Sequence, residues 1–177
     1  MTLLDDHFTN ISRTYNELRT TDPEPVRYIQ EQLRYRQTIH GADIGCGGGR
    51  YDLLMLELVP GLALICADAN EAMLAETVRL LESHGHENFG TRLLDASALP
   101  FPRKSLDFVM TFNAIHHFDP VEFLQQAARI VKDGGYVFVY TRLRSQNARN
   151  IWGSLLSGVQ CEGETTLPHE PHRGLDG

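Results

Sequence analysis

The sequence lacks the features that mark nucleic-acid-binding and membrane-inserted proteins. It has no run of basic residues, and 16 Lys and Arg against 23 Asp and Glu leave a net charge of −7. Because affinity for nucleic acid depends on neutralising phosphates, this composition predicts no nucleic-acid partner. No apolar stretch approaches the roughly 20 residues that a membrane-spanning helix needs, so the sequence also predicts no membrane span.

Cysteine is scarce, and the three that are present are Cys46, Cys66 and Cys161. Their odd number and their lack of metal-ligand spacing favour reduced thiols over disulfides or a metal site. The first residues, MTLLDDHF, are acidic and lack the basic-then-apolar order of a secretion signal. These features together predict a cytoplasmic protein.

The pattern of apolar residues predicts one domain in which helices and strands alternate. A length of 177 residues with 42% hydrophobic residues suits a single core. Two helices, over about residues 8–20 and from residue 23 onward, precede the first strand, and a last helix is expected over about 146–156. The predicted strands cover about residues 38–44, 62–67, 89–94, 106–112 and 136–140. This order predicts an α/β fold with a doubly wound, mainly parallel sheet and helices on both faces.

Two helices have recognisable starts. Asn70 is predicted to cap the helix after the second strand, and Asp119 the helix after the fourth, with Pro120 in its first turn. In the latter helix the spacing predicts four inward-facing side chains, those of Phe123, Leu124, Ala127 and Val131.

Residues 42–50, ADIGCGGGR, carry four glycines in five positions between the first strand and the next helix. Glycine allows positive φ and the close approach of a ligand to the backbone. The dinucleotide pattern G-x-G-x-x-G needs Gly or Ala where this chain has Arg50, and the phosphate-loop pattern Gly-Lys-Ser/Thr is missing. Instead, Asp43 stands two positions before G-x-G-x-G, where a carboxylate would repel a pyrophosphate and attract an ammonium group.

Polar residues also follow the other predicted strands. Asp68, Asp95 and Asn113 each stand at a predicted carboxyl end. Ligands of doubly wound sheets bind beyond these ends, so we expect the three side chains and the glycine loop to line one crevice.

Five blocks in this order resemble the class I S-adenosylmethionine-dependent methyltransferases, most closely the small-molecule branch with the ubiquinone and menaquinone C-methyltransferases. ADIGCGGGR resembles their first motif and ICADANEAML their second strand with its acidic end. LLDASALPF resembles the adenine-side block, and DFVMTFNAIHHF and VKDGGYVFVY the fourth- and fifth-strand blocks. The resemblance implies a Rossmann-like domain over residues 1–158 that binds S-adenosyl-L-methionine and methylates a small-molecule acceptor by direct displacement.

The resemblance also implies a role for each site residue. Asp43 faces the cofactor's amino group, Asp68 accepts from the ribose hydroxyls and Asp95 accepts from the adenine amino group. The other cofactor-binding residues that it implies are Gly45, Cys46, Gly47, Ala69, Ala96, Asn113 and Ala114, with Tyr15 and Arg19 on an N-terminal helical lid over residues 1–36.

His116 and His117 form the remaining candidate group. Adjacent histidines are expected to point in different directions, so the sequence predicts no metal site there. His116 is the candidate general base, and polar rim residues are the simpler interpretation of both. Asn-Ala-Ile-His at residues 113–116, in place of Asn/Asp-Pro-Pro-aromatic, argues against methylation of nucleobase amino groups.

The C-terminal end departs from the family pattern. Residues 159–177 have few apolar side chains and no periodicity, which predicts a disordered tail and no sixth or seventh strand. The fifth strand would then be a sheet edge, and we expect a possible homo-oligomer through it. Two alternatives remain open from the sequence: a truncated or partner-dependent cofactor-binding module without turnover, and a nicotinamide oxidoreductase.

Overall fold

A computed structural model of the chain describes residues 21–141, all within one compact unit, Met1–Thr141. Its helices are α1 (Glu24–Leu33), α2 (Arg50–Leu58), α3 (Glu71–Ser83) and α4 (Pro120–Ile130). Its strands are β1 (Ile39–Ile44), β2 (Leu62–Asp68), β3 (Phe89–Leu93), β4 (Leu106–Phe112) and β5 (Val131–Tyr140). A short 3₁₀ turn, Ile115–His117, lies between β4 and α4.

All five strands run parallel, in the order β3-β2-β1-β4-β5. The chain moves outward from β1 to β3, returns to the other side of β1, and moves outward again. The switch point therefore lies between β1 and β4, where open α/β sheets bind their ligands. This topology confirms the predicted doubly wound fold.

The core has two parts, one on each face of the sheet. Along β4, Phe108 and Met110 belong to one cluster and Val109 to the other, as the alternation of side chains in a strand requires. The first cluster packs against α1, α2 and α3, whereas the second packs against α4. Helices thus cover both faces, and the apolar stripe of α1 is entirely buried at Val26, Ile29 and Leu33.

The predicted caps of α3 and α4 are confirmed. Asn70 Oδ1 accepts a hydrogen bond of 3.1 Å from the backbone N–H of Met73. Asp119 Oδ1 accepts from the N–H groups of Val121 and Glu122, at 2.8 and 3.0 Å. Both side chains satisfy donors that have no partner within their own helix.

The predicted inward face of α4 is wrong at Leu124, whereas Val131 is buried in the same cluster as Phe123 and Ala127. Leu124 is 46% exposed, whereas Phe123, Ala127 and Ile130 are fully buried. Steps of four and three residues from Phe123 lead to Ala127 and Ile130, so Leu124 is rotated by about 100° away from this face. The helix ends at Ile130, and Val131 is already the first residue of β5.

The fifth strand begins five residues earlier than the predicted 136–140. Leu106 pairs with Val131 but Phe108 pairs with Tyr136, so two steps along β4 match five along β5. Gly134 takes a φ of 72° within this bulge. The Asp-Gly-Gly sequence therefore forms an irregularity inside the strand rather than a turn before it.

Two residues that interrupt the apolar run of β1 have separate roles. A Cβ on Gly41 would overlap the ring of Phe108 in the core, so the strand needs a glycine there. His40 is exposed and donates its backbone N–H to Asp107 Oδ2 at 2.9 Å. The strand is thus buried except at this one position.

Several predictions fall wholly or partly outside the described residues: the helices over 8–20 and 146–156, the N-terminal lid, the tail over 159–177, and Cys161. Cys46 and Cys66 are free thiols, as the sequence predicts. Among residues 21–141, no helix is both long enough and apolar enough to cross a membrane. β5 ends the sheet in this part of the chain, and association through its edge stays a prediction.

Candidate functional site

The glycine loop joins the end of β1 to the start of α2. Gly45, Gly47 and Gly49 have φ values of 80°, 58° and 78°, the left-handed region that favours glycine. The N–H groups of Gly45 and Cys46 both donate to the carbonyl oxygen of Ala67, at 2.8 and 3.0 Å. The loop is therefore fixed to the carboxyl end of β2 as well as to β1.

Close neighbours on two sides leave no room for a side chain at Gly45 or at Gly49. A Cβ on Gly45 would lie 2.5 Å from Ala114 Cβ, and one on Gly49 would lie 2.8 Å from Thr77 Cγ2. The Thr77 hydroxyl also donates to the carbonyl oxygen of Gly47 at 2.7 Å. The loop is held between the segment after β4 and helix α3, which brings Gly45 and Ala114 together.

Asp68, the last residue of β2, connects to the same loop. Its Oδ2 accepts from Gly47 N–H at 2.9 Å and its Oδ1 from Asn70 N–H at 2.9 Å. Burial raises the pKa of Asp68, although these two hydrogen bonds and a third from the Ala69 N–H each favour a lower pKa. A carboxylate offers about four acceptor positions, so the three hydrogen bonds leave Asp68 with capacity for a further donor.

Asp95 and Ala96 follow β3 at the same edge of the sheet. Leu94 N–H donates to the carbonyl oxygen of Asp68 at 3.1 Å, which joins this segment to the end of β2. Asp95 is exposed, and its Oδ1 accepts from Ser97 N–H at 2.8 Å. That bond lowers the pKa of Asp95, so the side chain is an ionised acceptor open to a ligand.

Asn113 directly follows β4 and takes a φ of 55°. Its N–H donates to the carbonyl oxygen of Tyr140 at 2.7 Å, so the turn is fixed to β5. Asparagine tolerates this left-handed conformation better than most residues. The turn places Ala114 against Gly45 and leads into the segment with His116.

Asp43 and Asp52 are buried acids beside this loop, exposed by 1% and 0%. Within residues 21–141 no group donates a hydrogen bond to Asp43 Oδ1 or to either oxygen of Asp52. Burial, followed by the charges of Asp52 and Asp68, raises the pKa of Asp43 well above its usual range. Burial raises the pKa of Asp52 to about 7, with the nearby Cys66 thiol opposing the change.

A family profile described as "Methyltransferase domain" matches residues 42–139, which include the glycine loop and all of the acids above. The chain belongs to this methyltransferase domain family. A "Ubiquinone biosynthesis O-methyltransferase" of Caulobacter vibrioides is 33% identical over 152 residues, covering 74% of this chain and 56% of the relative. A mouse tRNA (carboxymethyluridine(34)-5-O)-methyltransferase is 31% identical over 121 residues, covering 66% of this chain and 17% of the relative.

Solved structures agree with this assignment. The crystal structure of the YcgJ protein from Bacillus subtilis matches with a TM-score of 0.60 and 25% identity, covering 67% of this chain and 50% of that chain. The chain spans 56% of the length of the Caulobacter relative and of a second quinone relative, from Parvibaculum lavamentivorans. The family is therefore confirmed, and both quinone relatives are named for transfer to oxygen rather than to carbon.

The methyltransferase domain holds His116 and His117 in the 3₁₀ turn after β4, with both side chains exposed. Their ring centroids are 4.0 Å apart, so the prediction that the rings point in different directions is wrong. Both side chains leave a single tight turn towards solvent and can turn towards each other. Among residues 21–141, no group of three or more His, Cys, Asp or Glu side chains is placed to hold a metal ion.

The two thiols near the loop of the methyltransferase domain are not activated. Burial and then the charges of nearby acids, Asp52 first, raise the pKa of Cys46 and of Cys66 well above the ordinary thiol value. Thiolates are the reactive form of cysteine, so both side chains are unreactive at neutral pH. Cys46 lies in the loop as predicted, with its Sγ 3.8 Å from Thr77 Oγ1.

Sequence reasoning missed Asp52 and Thr77 in this methyltransferase domain. Both are polar residues on the buried face of a helix, where Asp52 shares the inward side of α2 with Met55, and Thr77 that of α3 with Leu74 and Leu81. A polar side chain in an apolar stripe is the signal that could have found them. Of the predicted site residues, Tyr15 and Arg19 lie outside the described part of the chain.

Proposed function

We propose that this methyltransferase domain binds S-adenosylmethionine at the carboxyl ends of β1, β2 and β4 and transfers its methyl group to a small molecule. One observation carries the proposal, the hydrogen bond of 2.9 Å from Gly47 N–H to Asp68 Oδ2. It joins a half-buried part of the glycine loop to an acid that keeps acceptor capacity. This combination suits a ligand with a ribose diol beside an amino-acid group.

The residues fit the parts of this cofactor. Asp43 Oδ1, buried and without a donor, suits the cofactor's ammonium group. Asp68 suits the two ribose hydroxyls, and the ionised Asp95 with the Ala96 N–H suits the adenine edge. The positions nearest the methionine end are Gly45, Cys46, Gly47, Asn113 and Ala114, with Ala69 beside the ribose acceptor.

The cofactor's sulfonium supplies a methyl group that is already activated. In the proposed transfer, the acceptor atom would form a bond to the methyl carbon as the C–S bond breaks, and the electron pair of that bond would stay on sulfur. The protein therefore has to align the acceptor with the C–S bond and keep water out. If the acceptor is a hydroxyl, its proton has to leave, and His116 is the group we assign to accept it.

The names of the two quinone relatives support a hydroxyl acceptor on an aromatic or quinone-like ring. The tRNA relative marks a second class of acceptor for the same chemistry. The net charge of −7 opposes binding of a polyanion, so we assign a small molecule to this chain.

Two measurements test this function. Calorimetric titration should show binding of S-adenosylmethionine and S-adenosylhomocysteine, and no binding up to about millimolar concentration would overturn the proposal. Transfer of a labelled methyl group should be seen with a set of catechols and hydroxyquinols and not with bulk tRNA. Binding without transfer to any acceptor would instead support the cofactor-binding module, and preferential binding of NAD would support the oxidoreductase.

The assignment of His116 has its own test. A general base contributes about 10²–10⁴-fold to rate, so His116→Gln should slow transfer by that factor while leaving cofactor affinity unchanged. His117→Gln is the matched control from the same turn, and an equal loss in both variants would refute the role of His116.

A further inference from the structure

Asp43 and Asp52 reach the same buried position from different elements. Asp43 belongs to β1 and Asp52 to the first turn of α2, on either side of the glycine loop in the chain. Neither side chain exposes more than 1% of its surface. The two carboxyl groups are close enough to exchange a hydrogen bond when one of them is protonated.

If Asp43 and Asp52 were both ionised, their buried oxygen atoms would lack hydrogen-bond donors. Asp43 Oδ1 and both oxygens of Asp52 have no nitrogen or oxygen donor among the described residues, and the Cys66 thiol next to Asp52 is only a weak donor. Two buried acceptors facing each other repel and leave their lone pairs unsatisfied. A single proton between them supplies the missing donor and removes one of the charges, as in other close carboxyl pairs.

The surrounding titratable groups act in different directions, and the Asp68 carboxylate is the one that adds to the repulsion within the pair. From β2 the Asp68 carboxylate adds repulsion, while the Cys66 thiol lies next to Asp52; the Cys46 thiol lies in the loop above. From the turn after β4, His117 acts on Asp68. Further groups on the adjoining elements include the rings of Tyr51 and Tyr140 and the guanidinium of Arg50, 6.0 Å from the Tyr51 ring centroid. On the helix that packs against the loop, Glu76 is buried and paired with Arg79.

We propose that Asp43 and Asp52 share one proton in the cofactor-free domain and release it when the cofactor's ammonium group binds at Asp43. Asp52 is then a positioning residue that acts through Asp43 and makes the site select ligands with an ammonium group. The proposal rests on the proposed cofactor site. The bound ammonium keeps its protons, the carboxyl pair changes its charge from −1 to −2, and the released proton passes to solvent.

Cofactor affinity should accordingly depend on pH. Below the pH at which the pair loses its proton, binding of an ammonium ligand requires that proton to leave, so affinity rises by up to about tenfold per pH unit. The rise should end near neutral pH, since the structure puts the pKa of Asp52 at about 7. A ligand without an ammonium group should bind without this dependence.

Calorimetry with two ligands tests the proposal on the unmodified protein. S-Adenosylhomocysteine carries the ammonium group, and 5′-methylthioadenosine has the same nucleoside without it. Titrations in buffers of different ionisation enthalpy should show up to one proton released with the first ligand and none with the second. Equal proton release with both ligands would overturn the proposal.

Two variants test whether Asp52 is the residue responsible for the proton release. Asp52→Asn keeps the shape and supplies an N–H donor to Asp43, so it should abolish proton release and remove the pH dependence of S-adenosylhomocysteine binding. Glu57→Gln, which removes the same charge from an exposed position of α2, should change neither. Proton release that persists in a folded Asp52→Asn variant would refute the role of Asp52.

Calorimetry with the two ligands also distinguishes failure of the shared-proton proposal from failure of the proposed cofactor site. Failure of both ligands to bind would refute the cofactor site itself. Binding of both with no difference in proton release would leave the cofactor site in place and refute only the shared proton. The comparison of ligands needs no variant, so it holds even if Asp52→Asn does not fold.

Discussion

The two ends of the parallel sheet differ in how many hydrogen-bond donors surround their buried carboxyl groups. At the amino end, Asp107 on β4 accepts from Arg36 Nη1 at 2.6 Å, from Lys132 Nζ at 3.0 Å and from the His40 N–H at 2.9 Å. At the carboxyl end, Asp43 Oδ1 and both oxygens of Asp52 receive no hydrogen bond from residues 21–141.

The pKa values of these acids move in opposite directions as a result. Burial alone would raise the pKa of Asp107, but the hydrogen bonds from His40 and Lys132 and the charges of Lys132 and Arg36 outweigh it and lower the pKa. Burial with few donors raises the pKa of Asp43 and Asp52 instead. The paired acid at the amino end therefore stabilises the fold, whereas the buried acids without donors at the carboxyl end lower its stability.

The largest effect should come from removing the paired acid. Asp107→Ala leaves the His40 N–H and two cations without their acceptor, and should lower the free energy of unfolding by about 2–4 kcal/mol. Urea denaturation measures this loss. Asp133→Ala is the matched control, because Asp133 is paired to Lys104 but 84% exposed, and it should cost less than about 1 kcal/mol. Similar losses in the two variants would contradict the stabilising role of the amino end.

The next effect is on binding at the opposite end. Asp68→Ala should weaken the affinity for S-adenosylhomocysteine by about 1.5–3 kcal/mol, because the ribose hydroxyls lose a charged acceptor. Calorimetric titration measures it. Asp107→Ala, tested under conditions in which it remains folded, should bind the ligand as the unmodified protein does. An unchanged affinity in Asp68→Ala would remove the ribose assignment.

The third effect is a pH dependence of stability with opposite signs at the two ends. The pKa of Asp52 is raised from 3.8 to about 7, so the folded state holds the extra proton and stability falls as pH rises through this interval. Asp52→Asn should remove part of that fall and stabilise the protein by about 1–2 kcal/mol above neutral pH. Denaturation curves at a series of pH values measure it.

In the same experiment, Asp107 should change the stability with pH in the opposite direction to Asp52. Its pKa lies below 3.8 in the folded protein, so its contribution is present above that value and is lost as pH falls through the lowered pKa. Asp107→Ala should therefore flatten the acid side of the profile and Asp52→Asn the neutral side. A neutral-side slope that Asp52→Asn leaves intact would show that Asp52 is not the group responsible.

The smallest effect concerns the two ends of β4. Lys104 precedes the strand with a φ of 54° and Asn113 follows it with a φ of 55°. Asn113→Ala should lower stability by about 1 kcal/mol, because alanine lacks the tolerance of asparagine for this conformation. Asn113→Gly should not, and thermal unfolding compares them. A stability loss in the glycine variant as large as in the alanine variant would mean that the amide side chain, not the backbone, matters.

Local sequence features predicted much of the fold. β4 was predicted with its observed bounds, because five of its seven residues are apolar, as expected of a strand that is buried on both faces. The caps at Asn70 and Asp119 were predicted because a capping side chain reaches only two or three residues along the chain. Leu124 and the bulge in β5 were not predicted, because they depend on which helix face meets the sheet and on the pairing of β5 with β4.

By itself, the sequence determined the family, the alternation of helices and strands, and the row of glycine and acidic residues at the strand ends. Motifs of a few adjacent residues carry that information. Only the tertiary structure decided which acids are satisfied, since Asp107 meets Arg36 across 71 residues and Lys132 across 25. It also placed Asp52 beside Asp43 without a donor. Burial and pairing between distant segments set the charge of a carboxyl group, and no local pattern contains them.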